Sequence, residues 1–259
     1  MKLPLYQIDA FSAQRFSGNP AAVCPLPEWL DDEVMQAIAA ENNLSETAFF
    51  VAEGDAYRLR WFTPAAEVDL CGHATLAAAA VVTRVLEPDR DMVTFRSRGG
   101  DLTVSTDGEL LVMDFPARPG ATVDAPSALL MGLGVVPRQV LVADYYLAVF
   151  DSSEEVVALT PDFHRLATLD RIGVIVSAPG TDVDFVSRFF APGVGVPEDP
   201  VTGSAHCTLT PYWSARLGKK ILRARQMSRR GGELFCEDRG ERVTIAGHAV
   251  LYLEGEIYL

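Results

Sequence analysis

Two parts of the chain repeat the same short motifs in the same order. Arg60-Trp61-Phe62-Thr63-Pro64 matches Arg188-Phe189-Phe190-Ala191-Pro192, because each reads Arg, aromatic, Phe, a small or hydroxyl residue, Pro. After a loop, Gly72-His73-Ala74 and Gly203-Ser204-Ala205 each open a stretch typical of a helix. Stacked repeat proteins need three or more units, so two units predict two similar lobes.

The repeat continues through the helices and beyond them. We expect the two helices to end near Leu86 and Leu217. Farther on, Leu102–Phe115 and Leu234–Ile245 each predict two short strands around a turn. The segment Pro116–Pro126 is rich in Pro, Ala and Gly, which is typical of a linker. We therefore predict an N-terminal lobe, residues 1–116, and a C-terminal lobe, residues 117–259, with termini that can cross between lobes.

The remaining pattern predicts an α+β fold in which each lobe has a β-sheet wrapped around a central helix. Leu30–Asn42 has the periodicity of a helix, with Val34, Ile38 and Ala39 on one face. In Tyr57–Phe62 the aromatic and aliphatic residues alternate with Arg58 and Arg60, which is typical of a strand. Further strands are predicted at Thr47–Val51, Gly173–Ala178 and Asp184–Phe190.

Composition excludes several classes of protein. The net charge is −13 and no basic patch dominates, so we expect no nucleic-acid partner. The longest apolar run, Ala74–Val82, is too short to cross a bilayer, and no signal peptide begins the sequence, so we expect a cytoplasmic protein without a membrane partner. The four cysteines have no C-x-x-C spacing, which indicates reduced thiols in that compartment.

The two helix starts are the first candidates for binding. The N-terminus of a helix has unpaired backbone N–H groups and partial positive charge, and glycine lets an anion approach them. One such start is usually a simple cap. A related pair, at Gly72-His73 and Gly203-Ser204, predicts two sides of a site for a small carboxylate in the cleft between the lobes.

Titratable residues near these starts are the candidates for catalysis. Glu46 lies between a helix and the apolar run Thr47–Val51, where burial is expected to raise the pKa of its carboxyl group toward neutrality, as suits a general base that returns its proton. His73 and Asp199 could orient a substrate or relay charge. Phosphate-binding loops, nucleophile elbows and spaced metal ligands are missing, so we expect no metal and no organic cofactor.

Four motifs together resemble the phenazine-biosynthesis-like (PhzF) family, and they span most of the chain. They are Phe16-Ser17-Gly18-Asn19-Pro20-Ala21-Ala22-Val23, Asn43-Leu44-Ser45-Glu46-Thr47, Leu70-Cys71-Gly72-His73-Ala74-Thr75 and Glu198-Asp199-Pro200-Val201-Thr202-Gly203-Ser204-Ala205. The resemblance implies a diaminopimelate-epimerase-like fold, a homodimer and cofactor-free isomerisation of a small carboxylate-bearing substrate.

The resemblance also implies roles for individual residues. It makes Glu46, His73 and Asp199 catalytic, with Glu46 as the general acid/base. We assign substrate binding to Gly72, Gly203, Ser204 and Asn19.

Two other functions stay open from the sequence. The same fold hosts racemases that use one thiol from each lobe, and Cys71 could act in that way. In the repeat, however, Cys71 corresponds to Thr202 rather than to a second cysteine. The second alternative is a protein that binds a small acid without turning it over.

Overall fold

A computed structural model describes residues 1–259, which form two compact units. The first contains residues 1–114 and 246–259, and the second contains residues 115–245. The C-terminal segment thus belongs to the first unit, through a strand that pairs antiparallel with the first strand of the chain. The boundary predicted from the sequence assigns residues 117–259 to the second lobe and allows the termini to cross between lobes. No helix combines the length and apolar character of a membrane span.

The first unit has a central helix, α2, which is buried from His73 to Val81. A helix that is apolar all round belongs in a core, and α2 packs against β1, β2, β3 and β17. The elements of this unit are β1 Lys2–Ala10, β2 Asn19–Leu26, α1 Asp32–Asn42, β3 Glu46–Glu53, β4 Ala56–Phe62, β5 Glu67–Val68, α2 Gly72–Val81, a π-helical turn Val82–Leu86, β6 Met92–Ser97, β7 Gly100–Asp107, β8 Leu110–Pro116 and β17 Ala249–Tyr258.

The second unit is built around α6, whose buried face includes Leu209 and Trp213 and packs against β14 and β15. The indole N–H of Trp213 donates to the Ser177 hydroxyl, so this large side chain is buried with its polar atom satisfied. The elements are β9 Ala121–Thr122, α3 Ser127–Leu133, β10 Gln139–Val142, β11 Tyr146–Val149, α4 Ser153–Ala158, α5 Phe163–Leu166, β12 Val174–Pro179, β13 Phe185–Phe190, a 3₁₀ turn Pro192–Val194, α6 His206–Leu217, β14 Ile221–Gln226, β15 Gly232–Asp238 and β16 Arg242–Gly247.

Strand pairing confirms the duplication and extends it beyond the repeated motifs. In the first unit β1 is antiparallel to β2, β2 parallel to β3, β3 antiparallel to β4, β4 parallel to β6, and β6 antiparallel to β7. The second unit repeats this order with β10, β11, β12, β13, β14 and β15. Each parallel pair is joined by a helical crossover, as parallel strands require. The predicted α+β class is therefore confirmed.

The predicted elements agree closely with the observed ones, with one informative exception. The strands predicted at Thr47–Val51 and Tyr57–Phe62 are β3 and β4, and the helix predicted over Leu30–Asn42 is α1. The second Gly-led helix begins at His206, three residues later than predicted. Gly203 and Ser204 instead form a turn that leads into it, with the Gly203 carbonyl accepting from the His206 N–H.

Candidate active site

Glu46 is the first residue of β3, at the point where the chain leaves α1. Asn43 ends α1 in the left-handed conformation, with φ of 48°, and so turns the backbone toward the strand. Parallel pairing then places Glu46 opposite Ala21 of β2. The Glu46 side chain is 18% exposed, so most of it is removed from water while part of it stays accessible.

The Glu46 carboxylate contacts His73, which lies in the first turn of α2. Glu46 Oε2 and His73 Nε2 are 3.1 Å apart, and the His73 side chain is only 7% exposed. Neither atom has a hydrogen-bond partner outside this pair. Buried polar atoms are normally paired, and each of these two has the other as its partner.

The other side of the His73 ring is held by two residues. Its Nδ1 lies 3.5 Å from Cys71 Sγ and 3.3 Å from the side-chain nitrogen of Asn19. Asn19 is fully buried, and its Oδ1 accepts a hydrogen bond from the Ser45 hydroxyl at 3.1 Å. Asn19 can donate to Nδ1 only while that nitrogen carries no proton, whereas the Nδ1–H of a charged ring donates to the Cys71 sulfur, so a contact orients the imidazole in both states. Asn19 thus contacts His73. Its predicted role in binding the substrate stays a prediction.

The pKa of Glu46 is lower than its usual value, so the expected rise toward neutrality is wrong. Burial does favour the neutral acid, but the charge of His73 and the hydrogen bonds from His73 and Cys71 outweigh it. For His73, burial opposes the charged ring, while Cys71 and Glu46 beside it raise the pKa well above 6.5. We attribute this rise chiefly to the Glu46 carboxylate, because Cys71 is a neutral thiol at neutral pH. Both shifts favour the charged forms of the pair, a carboxylate beside a protonated imidazole.

Burial raises the pKa of the Cys71 thiol to about 11 and that of Cys207 to about 12. Both remain protonated near neutral pH, and a protonated thiol is a poor base. The donor atoms of Glu46, Cys71 and His73 lie within 4.8 Å of one another, a convergence that sequence spacing did not predict.

In the second unit, Asp199 is held by a network that the sequence did not predict. The Thr202 hydroxyl donates to Asp199 Oδ2 at 2.5 Å. The fully buried Gln226 accepts from the Thr202 N–H at 2.9 Å and donates to the Asp199 carbonyl at 2.9 Å. Gln226 is the last residue of β14, so this strand braces the loop that carries Asp199.

Ser204 contacts the Tyr145 hydroxyl at 3.0 Å, and the ring of Tyr145 packs edge-on against Phe189. Tyr145 is a further polar residue that the sequence motifs did not single out. The only sequence signal is its position directly before β11, in an Asp-Tyr-Tyr segment. The structure therefore brings Glu46, His73 and Asn19 together in one unit, and Asp199 and Ser204 each have partners of their own in the other.

The repeat shows that Glu46 has no counterpart with the same chemistry. Thr47 pairs with Phe62, and Val174 pairs with Phe190, so Glu46 corresponds to Gly173. A Cβ at Gly173 would lie 2.3 Å from the Phe189 ring, which leaves no room for a side chain there. Only the first unit carries a carboxylate at this position.

Comparisons with known proteins agree with this architecture. Residues 8–255 match the family model described as phenazine biosynthesis-like protein. The chain belongs to this family. A Pseudomonas aeruginosa protein named as an uncharacterized isomerase is 56% identical, with both chains covered completely. A crystal structure of a PhzF-family protein from Enterococcus faecalis is 46% identical, covers both chains completely and has a TM-score of 0.98.

A more distant solved structure is similar to this chain in fold alone. A hydroxyproline epimerase from Agrobacterium vitis is 10% identical, with a TM-score of 0.64 over 99% of this chain and 92% of that one. The diaminopimelate-epimerase-like fold is thus confirmed. The relatives named as isomerases confirm the predicted enzyme class.

Proposed function

We propose that this protein isomerises a small carboxylate-bearing substrate by moving a proton between carbon atoms, with Glu46 as a single general acid/base and no metal or organic cofactor. The observation that carries the proposal is the Glu46–His73 contact, in which an ionised carboxylate is held beside a buried histidine while its side chain stays 18% exposed. A carboxylate at neutral pH can accept a proton from an activated carbon. The roles of Asp199, Gly72, Gly203, Ser204 and Asn19 in binding the substrate remain predictions, as does the homodimer.

The reaction needs only one proton and one base. Glu46 takes the proton as a C–H bond breaks, and the electron pair left behind is delocalised over the substrate. The neutral Glu46 acid then donates the same proton to another carbon, where a new C–H bond forms, and the enzyme returns to its starting state. The charged His73 ring keeps Glu46 ionised beforehand, and its positive charge stabilises the negative charge that develops on a substrate bound nearby.

The low pKa of Glu46 has a consequence for the substrate. A weak base abstracts a proton efficiently only when the carbon acid is itself activated. We therefore expect a proton next to a carbonyl group, or one allylic to a double bond, rather than an unactivated C–H bond. The activation thus comes from the substrate, and not from a Glu46 carboxyl group with a pKa raised toward neutrality.

The two-thiol alternative is disfavoured by the state of the cysteines. Cys71 has a pKa of about 11 and Cys207 one of about 12, so neither supplies a thiolate at neutral pH. In addition, Cys71 corresponds to Thr202 in the repeat. A protein that only binds the acid would keep the same side chains, so proton exchange has to distinguish it from an enzyme.

The test is carbon–proton exchange in deuterated water with a panel of amino, hydroxy and unsaturated acids. The native protein should incorporate deuterium at carbon into at least one of them, Glu46→Gln should lose roughly a thousandfold or more of this rate, and Cys71→Ser should retain most of it. Full activity of Glu46→Gln together with an inactive Cys71→Ser would transfer the role to the thiol. Binding without exchange in the native protein would favour the non-catalytic alternative.

A further inference from the structure

A pocket in the first unit, separate from Glu46, is lined largely by arginines. Its volume is about 270 Å³, and its walls include Trp29, Arg58, Arg60, Arg96 and Arg98. The alternation along β4 puts Arg58 and Arg60 on the same face of the strand, opposite the buried Leu59. Parallel pairing of β4 with β6 then places Arg58 directly across from Arg96. The local fold thus concentrates four guanidinium groups in a chain with a net charge of −13.

Part of this charge is neutralised by carboxylates. Arg60 is fully engaged, because it binds Glu67 through Nε and Nη2 and Asp32 through Nη1, at 2.7 to 2.8 Å. Arg98 shares Glu67 with it through a single contact of 2.9 Å. A guanidinium has five N–H donors, so Arg98 keeps most of its donors available.

The remaining two arginines are less well matched. The Arg96 side chain makes one contact, of 2.9 Å, with Glu53, and the Arg58 side chain makes neither an ion pair nor a hydrogen bond. Four guanidinium groups therefore share three carboxylates. Like charges directly opposite each other on a sheet are destabilising, so an anion bound between Arg58 and Arg96 would relieve their repulsion.

We propose that this pocket binds the phosphate group of a small phosphate monoester. A phosphate monoester has close to two negative charges at pH 7 and three acceptor oxygens, which match the planar donor forks of Arg58, Arg96 and Arg98. A carboxylate offers one charge and two oxygens. The volume, about 270 Å³, is slightly below the range of about 300–1,000 Å³ for drug-sized ligands, so it fits a small metabolite rather than a polymer. The site does not depend on the proposed isomerase reaction.

Trp29 provides a direct readout of occupancy. It is partly exposed beside Arg60, whereas Trp61 and Trp213 are 1% and 0% exposed, so a ligand in this pocket changes the fluorescence of Trp29 first. Inorganic phosphate and glucose 6-phosphate are titrated at constant ionic strength, with sodium chloride and malonate as comparison anions. Both phosphates should give a saturable change and raise the melting temperature, because a ligand of the native state stabilises it.

Arg58→Gln is the decisive variant, because Arg58 has no partner in the protein whose loss could disturb folding. It should weaken phosphate binding roughly tenfold or more, and Arg58→Lys should bind with intermediate affinity. Arg138→Gln, which removes an exposed arginine paired with Asp151, is the matched control and should bind as the native protein does. Trp29→Phe should lose the fluorescence change but keep the thermal stabilisation.

Three results would overturn the proposal. One is an equal response to chloride, which would show only ionic screening. Another is malonate binding as tightly as phosphate, which would remove the specificity for phosphate. The third is unchanged phosphate affinity in Arg58→Gln.

Discussion

Replacement of Glu46 by Gln tests the electrostatic reasoning at the candidate active site independently of any substrate. The change removes one charge and keeps nearly the same size. With the two atoms 3.1 Å apart, an effective dielectric constant of about 20 gives a gross attraction of about 5 kcal/mol. Burial of His73 is unchanged by the substitution, so its opposition to the charged ring is no longer compensated. The pKa of His73 should therefore fall from above 6.5 to below it.

The stability of the protein should change with pH in a way that follows from these directions. In the native protein, the raised pKa of His73 contributes stability that is complete below pH 6.5 and is lost as pH rises through the folded-state pKa. The lowered pKa of Glu46 contributes stability that is present above pH 4.5 and is lost as pH falls through its folded-state pKa. Both contributions are complete between about pH 4.5 and 6.5. Glu46→Gln should be destabilised most in this window, by about 3 kcal/mol, and less at pH 8.

Two measurements check this prediction. Proton NMR titration of the four histidines gives the pKa of His73, with His206, whose pKa is about 4, as an internal reference that should not move. Urea denaturation at pH 5.5 and pH 8 gives the free energies of unfolding. An unchanged pKa of His73 in Glu46→Gln, or equal destabilisation at both pH values, would refute the reasoning.

Two further predictions concern the second unit. Burial lowers the pKa of His206 from 6.5 to about 4. The free energy of unfolding should therefore fall as pH drops from 6.5 toward 4, by about 3 kcal/mol at the lower end. Urea denaturation of His206→Leu should show a flatter pH dependence, and an unchanged dependence would show that His206 is not the source. Gln226→Leu leaves the Thr202 N–H and the Asp199 carbonyl without their buried partner. It should therefore lower the free energy of unfolding by about 2–4 kcal/mol. A loss below about 0.5 kcal/mol would show that this side chain does not brace the loop.

The duplication was visible in the sequence only where side chains recur. The Arg-aromatic-Phe strands and the Gly-led turns are needed for similar local packing in both units, so they keep recognisable residues. The sequence did not show that the N-terminal parts of the two units also correspond to each other. There β2 with the helix α1 corresponds to β11 with the two short helices α4 and α5. Backbone pairing defines these elements, and backbone hydrogen bonds do not depend on which side chains a strand carries.

The candidate site was predictable in position but not in electrostatics. The motif around Glu46 indicated a carboxylate at the edge of an apolar strand, and that is where it lies. Its pKa depends on His73, which is distant in sequence and close only through the packing of α2 against β3. Asn19 was selected for its motif, yet its buried contacts with His73 and Ser45 could not be read from spacing. Pairings of this kind require the tertiary structure.

The asymmetry of the repeat narrows the chemistry that the proposed mechanism allows. Two bases on opposite faces of a substrate invert a carbon centre, because one removes the proton and the other delivers a new one from the far side. Here the position equivalent to Glu46 is Gly173, where the Phe189 ring excludes any side chain. A single carboxylate returns the proton to the face from which it took it. Under the proposed mechanism, the expected reaction is therefore migration of a proton along one face of the substrate, and a panel of substrates whose double bonds can shift is a better first screen than pairs of enantiomers.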